Sequence, residues 1–154
     1  LGAVIGSLFF PCLTTSLLRS PDIDLLGGTQ RLLSLARCSK VTDAGIDKIP
    51  LCQSLLYLNF SYTSITDISA LSTCVNLRGV NLAGTKLQSY DPIKWLNGLE
   101  VLNLNCSAID TIGDSFAELR LLRSLDLGNT QLRCLRDLEF LSSGQLTRLE
   151  ELYL

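Results

Sequence analysis

The sequence predicts an α/β solenoid, in which a curved parallel β-sheet lines the concave face and 3₁₀ or short helices form the convex face. Three observations predict it: an apolar motif that recurs, a near-constant distance between its copies, and a different apolar spacing between them. The motif reads L-x-x-L-x-L-x-x-T-x-L. Its two clearest copies are Leu55, Leu58, Phe60, Thr63 and Ile65, then Leu77, Val80, Leu82, Thr85 and Leu87.

The central apolar position of the motif marks the middle of each predicted strand. Successive central positions are separated by about 22–27 residues, a period typical of stacked repeat units. Because stacked repeats place equivalent positions side by side, we expect six or seven short strands in one parallel sheet. We expect the following central side chains to be adjacent and buried: Leu33, Leu58, Val80, Leu102, Leu125 and Leu152.

Apolar residues between the strands recur at every third position, as at Ile65, Ile68 and Leu71. A period of three keeps one edge of a 3₁₀ helix facing inward, so this spacing predicts 3₁₀ turns on the convex side. The interval from Leu132 to Leu149 is longer. It has room for a true α-helical turn.

These repeats resemble leucine-rich repeats in which Thr replaces the usual Asn or Cys at the turn. The segment Ile65–Ser69 with its following strand resembles the 22-residue repeats of bacterial internalins and of a phosphatase regulatory subunit of the same class. Asn81–Thr85 is similar to turns of kinetoplastid leucine-rich repeat proteins. The resemblance covers roughly residues 30–154 and implies a protein-binding solenoid.

Residues 1–29 are expected to form a degenerate first repeat or an N-terminal cap, before leucine-rich repeats over residues 30–154. Leu8 and Phe10 stand one repeat before Leu33 and Leu35, which favours a degenerate repeat. The uncharged stretch over residues 1–18 also leaves a targeting remnant open. The missing initiator Met and the terminal strand motif predict a fragment of a longer protein.

Composition argues against nucleic-acid binding, membrane insertion and catalysis. The net charge is −2 without a basic stripe, and no apolar run is long enough to span a bilayer. The chain has no histidine and no glycine-rich phosphate loop, so we expect no enzyme, cofactor or metal site. Asp43, Asp47 and Asp67 are expected to cap or terminate short helices rather than form acid–base pairs.

The six cysteines are dispersed without a C-x-x-C pair, which favours buried thiols in a reducing, cytoplasmic compartment. A bridge between the stacked Cys52 and Cys74 is the less favoured interpretation. Glycosylation sequons at Asn59 and Asn105, both on predicted strands, leave a secreted or cell-surface location open. Small side chains at the bend are expected to bond neighbouring backbone: Cys38, Thr63, Thr85, Ser107 and Thr130.

The concave face is the predicted binding surface, because alternate residues of each strand point away from the core. We expect a protein partner there and no nucleic acid or membrane. Small residues such as Gly79 and Gly128 are expected to leave it room, and the convex side around Trp95, which could equally pack over the helices, is the competing surface. The candidate binding residues are Tyr57, Asn59, Tyr62, Asn81, Asn103, Asn105 and Asp126.

The sequence therefore predicts a non-enzymatic protein–protein interaction module, acting as a scaffold or adaptor segment. A surface recognition receptor and a regulatory subunit of an enzyme are the two alternatives. An amide ladder that only satisfies the sheet remains the competing interpretation of the Asn residues.

Overall fold

A computed structural model describes residues 31–47, 53–133, 136, 138–139, 141 and 146–154. Within these residues six strands of three residues each form one parallel sheet in sequence order. Each strand pairs with the next at one repeat's distance along the chain. The strands are β1 (Leu32–Ser34), β2 (Tyr57–Asn59), β3 (Gly79–Asn81), β4 (Val101–Asn103), β5 (Ser124–Asp126) and β6 (Glu151–Tyr153).

The predicted register is confirmed at every strand pair, since the six central residues are opposite one another across the sheet. The central side chains of β1 to β5 are buried, from 0% to 7% exposed. Leu152 was expected to be buried as well, but it is only half-buried. In the described part of the chain β6 has a neighbour on one side only, which leaves that end of the core open.

The core is a stack of equivalent apolar side chains, one layer per repeat. Two residues after the centres of β1 to β5, one apolar side chain per repeat is at most 1% exposed: Leu35, Phe60, Leu82, Leu104 and Leu127. Each fully buried apolar side chain of this size contributes about 1.5–3 kcal/mol. The recurring layers therefore hold neighbouring repeats together and fix their alignment.

The convex side consists largely of 3₁₀ helices, as the spacing of three predicts. They cover Ser69–Thr73, Asp91–Trp95 and Gly113–Phe116, whereas one short α-helix, α1, covers Asp43–Ile46. None of the described helices is long and apolar enough to cross a bilayer. The predicted degenerate repeat or cap over residues 1–29, Cys52 and much of the interval after Leu132 lie outside the described residues.

One residue in each of the first five repeats, four positions after the strand centre, adopts the left-handed backbone conformation. We call this the left-handed position. In the first four of these repeats the backbone N–H at this position donates to a carbonyl of the next repeat, as from Tyr62 N to Ala83 O and from Gly84 N to Asn105 O, both at 2.8 Å. This connection extends the hydrogen bonding of the sheet into the turn. With φ between 54° and 65°, the residues are Arg37, Tyr62, Gly84, Cys106 and Asn129.

The next position is the predicted bend. The Thr63 hydroxyl donates to Phe60 O at 2.7 Å and the Thr85 hydroxyl to Leu82 O at 2.6 Å, as expected. The expectation is wrong for Ser107, whose buried hydroxyl bonds no backbone group and lies beside that of Tyr90.

Carboxylates at the convex turns have structural roles, but the expectation that each caps or ends a helix is wrong for Asp43, whose side chain bonds the next repeat instead. Asp67 accepts bonds from the N–H and hydroxyl of Ser69, both at 2.8 Å, at the start of a 3₁₀ helix. Asp43 lies in α1 and accepts bonds from Thr66 N and Oγ1 and from Asp67 N in the next repeat. Burial raises the pKa of Asp43, but these hydrogen bonds together lower it below its ordinary value. Asp47 ends α1.

Candidate binding face

The outer face of the sheet forms a groove of about 180 Å³, which we call the concave groove. Residues from all six strands line it, so the sheet is curved towards this side. Much of the lining comes from positions directly before and after the strand centres, as expected from the alternation of side chains, and Glu100, Arg123 and Glu150 add positions two residues before the centres. It includes Leu32, Tyr57, Asn59, Gly79, Asn81, Val101, Asn103, Ser124 and Glu151.

The residues directly after four strand centres form what we call the amide column. Each side-chain Oδ1 accepts a bond from the backbone N–H two residues later, which fixes the side chain as in an Asx turn. With Oδ1 engaged, Nδ2 of each Asn remains a donor with no hydrogen bond in the described part of the chain. The distances to Oδ1 are 2.9 Å for Asn59, 3.0 Å for Asn81, 2.9 Å for Asn103 and 2.9 Å for Asp126.

Asn105 differs from the other Asn candidates. It lies beyond the end of β4, so the expectation that this sequon lies on a strand is wrong, while Asn59 does end β2. Asn105 Nδ2 donates to Asp126 Oδ1 at 3.2 Å. A Cβ built on Gly128 would be only 2.6 Å from that Nδ2. Gly128 therefore leaves room for Asn105 and not for a partner.

Both candidate tyrosines pack on a glycine of the following repeat. A Cβ on Gly79 would lie 2.7 Å from Tyr57 Cδ1, and a Cβ on Gly84 would lie 2.5 Å from Tyr62 Cε1. The Arg37 guanidinium is 5.6 Å from the Tyr62 ring centroid. The rings nevertheless stay accessible, at 37% for Tyr57 and 48% for Tyr62. The space expected above Gly79 is therefore filled by Tyr57, which is itself presented to solvent.

The structure also shows an edge of charged residues that the sequence analysis missed, two positions before the strand centres. Arg78 Nη1 is 3.4 Å from Glu100 Oε1, and Arg123 forms a two-pronged pair with Glu150 at 2.9 and 3.0 Å. Comparing that position between repeats in the sequence would have revealed the alternation. Such exposed pairs contribute about 0–1 kcal/mol each, so they orient side chains more than they stabilise the fold.

The site thus brings Tyr57, Asn59, Asn81 and Asn103 into the groove. Tyr62 and Asn105 lie in the turns that border it, and Asp126 continues the amide column on β5. Among the described residues no three His, Cys, Asp or Glu side chains are grouped as metal ligands are. These residues can bind a partner through aromatic contacts, hydrogen bonds donated by side-chain amides, and ion pairs.

Comparison with known proteins agrees with this architecture. A leucine-rich repeat family profile matches residues 91–132. The internalin InlF of Listeria monocytogenes is 28% identical, with a TM-score of 0.67 over 80% of this chain and 34% of that chain. No curated protein matches the sequence.

Two further solved structures share the fold. Internalin C2 of the same bacterium is 24% identical, with a TM-score of 0.67 over 88% of this chain and 54% of that chain. A leucine-rich repeat protein of Leptospira interrogans is 20% identical, with a TM-score of 0.70 over 87% of this chain and 33% of that chain. The chain thus spans from about a third to a half of the length of these relatives.

Proposed function

We propose that the chain, which is a leucine-rich repeat protein, binds another protein through the concave groove as a non-enzymatic scaffold or adaptor segment. Leucine-rich repeat folds serve in general as protein-interaction modules, because stacked repeats present an extended rigid surface. The groove, the amide donors and the exposed aromatic rings are the features of this chain that support the proposal.

The observation that carries the proposal is the packing of an exposed tyrosine ring on a glycine. Tyr57 stands in the groove with its ring against Gly79, so its position is set before any partner arrives. A preorganised side chain loses little entropy on binding. Aromatic residues held in this way are frequent hot spots of protein interfaces.

The groups available in the groove also support a proposal of binding rather than catalysis. The chain has no histidine, and the groove is lined by amides, apolar side chains and carboxylates. Two of these carboxylates, on Glu100 and Glu150, are already paired with arginines. Such a set of groups suits recognition through hydrogen bonds and ionic pairs.

The test is a double substitution, Tyr57→Ala with Tyr62→Gly. Glycine is chosen at residue 62 because its φ of 56° is strained for other residues. Once a partner has been identified by pull-down with the full-length protein, we expect its affinity to fall at least roughly tenfold, with the free energy of unfolding nearly unchanged.

Two control variants distinguish loss of the binding surface from binding on the convex side and from loss of folding. Trp95→Ala removes an aromatic ring that is 55% exposed on the convex side, and it should leave the affinity unchanged. Leu58→Ala should instead destabilise the fold by about 2–5 kcal/mol through loss of core packing. Full-strength binding by the double tyrosine variant, or loss of binding by Trp95→Ala alone, would place the partner on the convex side.

A reducing, cytoplasmic compartment is the location that we propose for this module. Cys106 carries an exposed free thiol, and exposed thiols persist where disulfides do not form. The competing proposal is a secreted or surface receptor. Mass spectrometry of the native protein separates them, since a glycan on Asn59 or Asn105 would require the secretory route. Regulation of an enzyme as a subunit has only the repeat class in its favour.

A further inference from the structure

We infer that the concave groove binds its partner in one fixed direction, with acidic or other acceptor groups of the partner over β1–β4 and its Lys or Arg side chains over β5 and β6. The occupant is a segment of another protein that carries both kinds of group. This inference rests on the proposed function and adds to it the chemistry and orientation of the partner.

The charges around the groove are separated along the direction in which the strands follow one another. From two residues before to four residues after the strand centres, the first three repeats contain three arginines and no carboxylate. The same positions of the next three repeats, as far as residue 154, contain one arginine and four carboxylates. The residues are Arg31, Arg37 and Arg78 in the first half, then Glu100, Arg123, Asp126, Glu150 and Glu151.

Pairing within the protein reduces this separation without removing it. Arg78 pairs with Glu100 and Arg123 with Glu150. Among the described residues, Glu151 accepts a bond only from the neutral Ser124 hydroxyl, at 3.0 Å, and Asp126 accepts bonds only from neutral N–H groups. In the described part of the chain these two carboxylates on β5 and β6 therefore have no cationic partner, and a partner's Lys or Arg would supply one.

The amide column points to the same direction. Asn59, Asn81 and Asn103 each use Oδ1 within their own turn and leave Nδ2 as a donor, on strands that lie about 4.8 Å apart. A partner that covers these half-buried donors without offering acceptors would lose affinity by leaving them unpaired. Over β2 to β4 the partner must therefore present carboxylate or carbonyl oxygens.

The amide column also allows Asn and Asp to be exchanged while the hydrogen bond from the backbone N–H to the side-chain Oδ1 is kept. Asp126 makes to Gly128 N the same bond that Asn81 makes to Ala83 N. Asn81→Asp therefore converts a donor into an acceptor, and Asp126→Asn removes a negative charge, with the local turn preserved in each. Asn97→Asp and Asp110→Asn, at exposed convex positions, are the matched controls.

The experiment selects a displayed library of random peptides on the full chain. Peptides of about twelve residues suffice, because six strands span roughly 24 Å, which about seven extended residues of about 3.3 Å each already cover. Peptides whose binding is lost with Tyr57→Ala are retained, since they occupy the groove. We expect them to have an acidic end and a basic end.

Affinity measurements with the retained peptides then test the direction. Asp126→Asn should weaken binding of the whole peptide roughly tenfold, and it should have no effect on a peptide that lacks its basic end. Asn81→Asp should also weaken binding of the whole peptide roughly tenfold, and it should have no effect on a peptide that lacks its acidic end. Neither control variant should change the affinity.

The possible failures are distinguishable. Retained peptides without charge separation, or acidic-ended peptides that bind Asn81→Asp as well as the unaltered chain, would overturn the fixed direction and leave groove binding in place. A selection in which no peptide depends on Tyr57 would overturn both the direction and the proposed function.

Discussion

Gly84→Ala tests whether the packing of Tyr62 on the next repeat couples neighbouring repeats. Gly84 occupies the left-handed position with a φ of 65°. An added Cβ would lie 2.5 Å from Tyr62 Cε1 and closer still to Cδ1, so the ring must move. Moving the ring also breaks its contact with the Arg37 guanidinium, 5.6 Å from its centroid.

Two costs determine how far Gly84→Ala lowers the free energy of unfolding. A residue with a Cβ loses about 1–2 kcal/mol in the left-handed conformation. Displacing the Tyr62 ring forfeits about 0.5–1 kcal/mol of cation–π attraction together with its packing on the glycine. We expect a total loss of about 2–3 kcal/mol in the free energy of unfolding, equivalent to a decrease in Tm of roughly 5–10 °C for a chain of this size.

Urea unfolding of four proteins measures the coupling: the unaltered chain, Gly84→Ala, Tyr62→Gly and the double variant. In the Tyr62→Gly background the ring is absent, so Gly84→Ala should cost only the backbone term, about 1–2 kcal/mol. The difference between the backgrounds, about 1 kcal/mol, is the coupling energy. An equal cost in both backgrounds, within about 0.3 kcal/mol, would refute the proposed packing.

Three further predictions concern buried or capping groups. Asp43→Asn should lower the free energy of unfolding at pH 7 by about 1 kcal/mol. The hydrogen bonds from Thr66 and Asp67 lower the pKa of Asp43 below the ordinary value of 3.8. The stability that the Asp43 carboxylate contributes is therefore complete above pH 3.8 and is lost as the pH falls through the lowered pKa. Urea unfolding should therefore show that the free energy of unfolding decreases more between pH 7 and pH 3 for the unaltered chain than for the Asp43→Asn variant. Tyr90→Phe removes a buried hydroxyl without a hydrogen bond, so thermal unfolding should show unchanged or slightly raised stability, and a loss of more than about 1 kcal/mol would reveal a partner. Thiol titration of the unfolded, non-reduced chain should find all six cysteines reactive.

The strands were predictable because their signal is repeated. A one-residue slip at Leu58 or Val80 would turn every core side chain of that strand towards solvent, so the apolar spacing fixes the register. The convex 3₁₀ helices were predictable for a similar reason, since a spacing of three keeps one edge inward. At Leu152 the prediction of burial failed because, in the described part of the chain, β6 has a neighbouring strand on one side only.

The left-handed position was not predictable from residue type. Arg37, Tyr62 and Cys106 are not residue types that favour this conformation, and at these three residues, as at Gly84, it accompanies a backbone hydrogen bond to the next repeat. The packing of tyrosines on glycines did leave a signal. Tyr57 precedes Gly79, and Tyr62 precedes Gly84, by the length of one repeat, so aligning the repeats as columns would have shown both pairs.

The strand and its turn keep one geometry in successive repeats, whereas the differences in repeat length fall on the convex return. Each repeat is therefore an exchangeable module. Removing residues 79–100, which form one complete repeat unit, would join Arg78 to Val101 and place β4 beside β2 in the same register. The groove would shorten by one strand spacing, about 4.8 Å. Tyr57 would then face Val101, so such a shortened chain would need glycine at residue 101 to seat the ring.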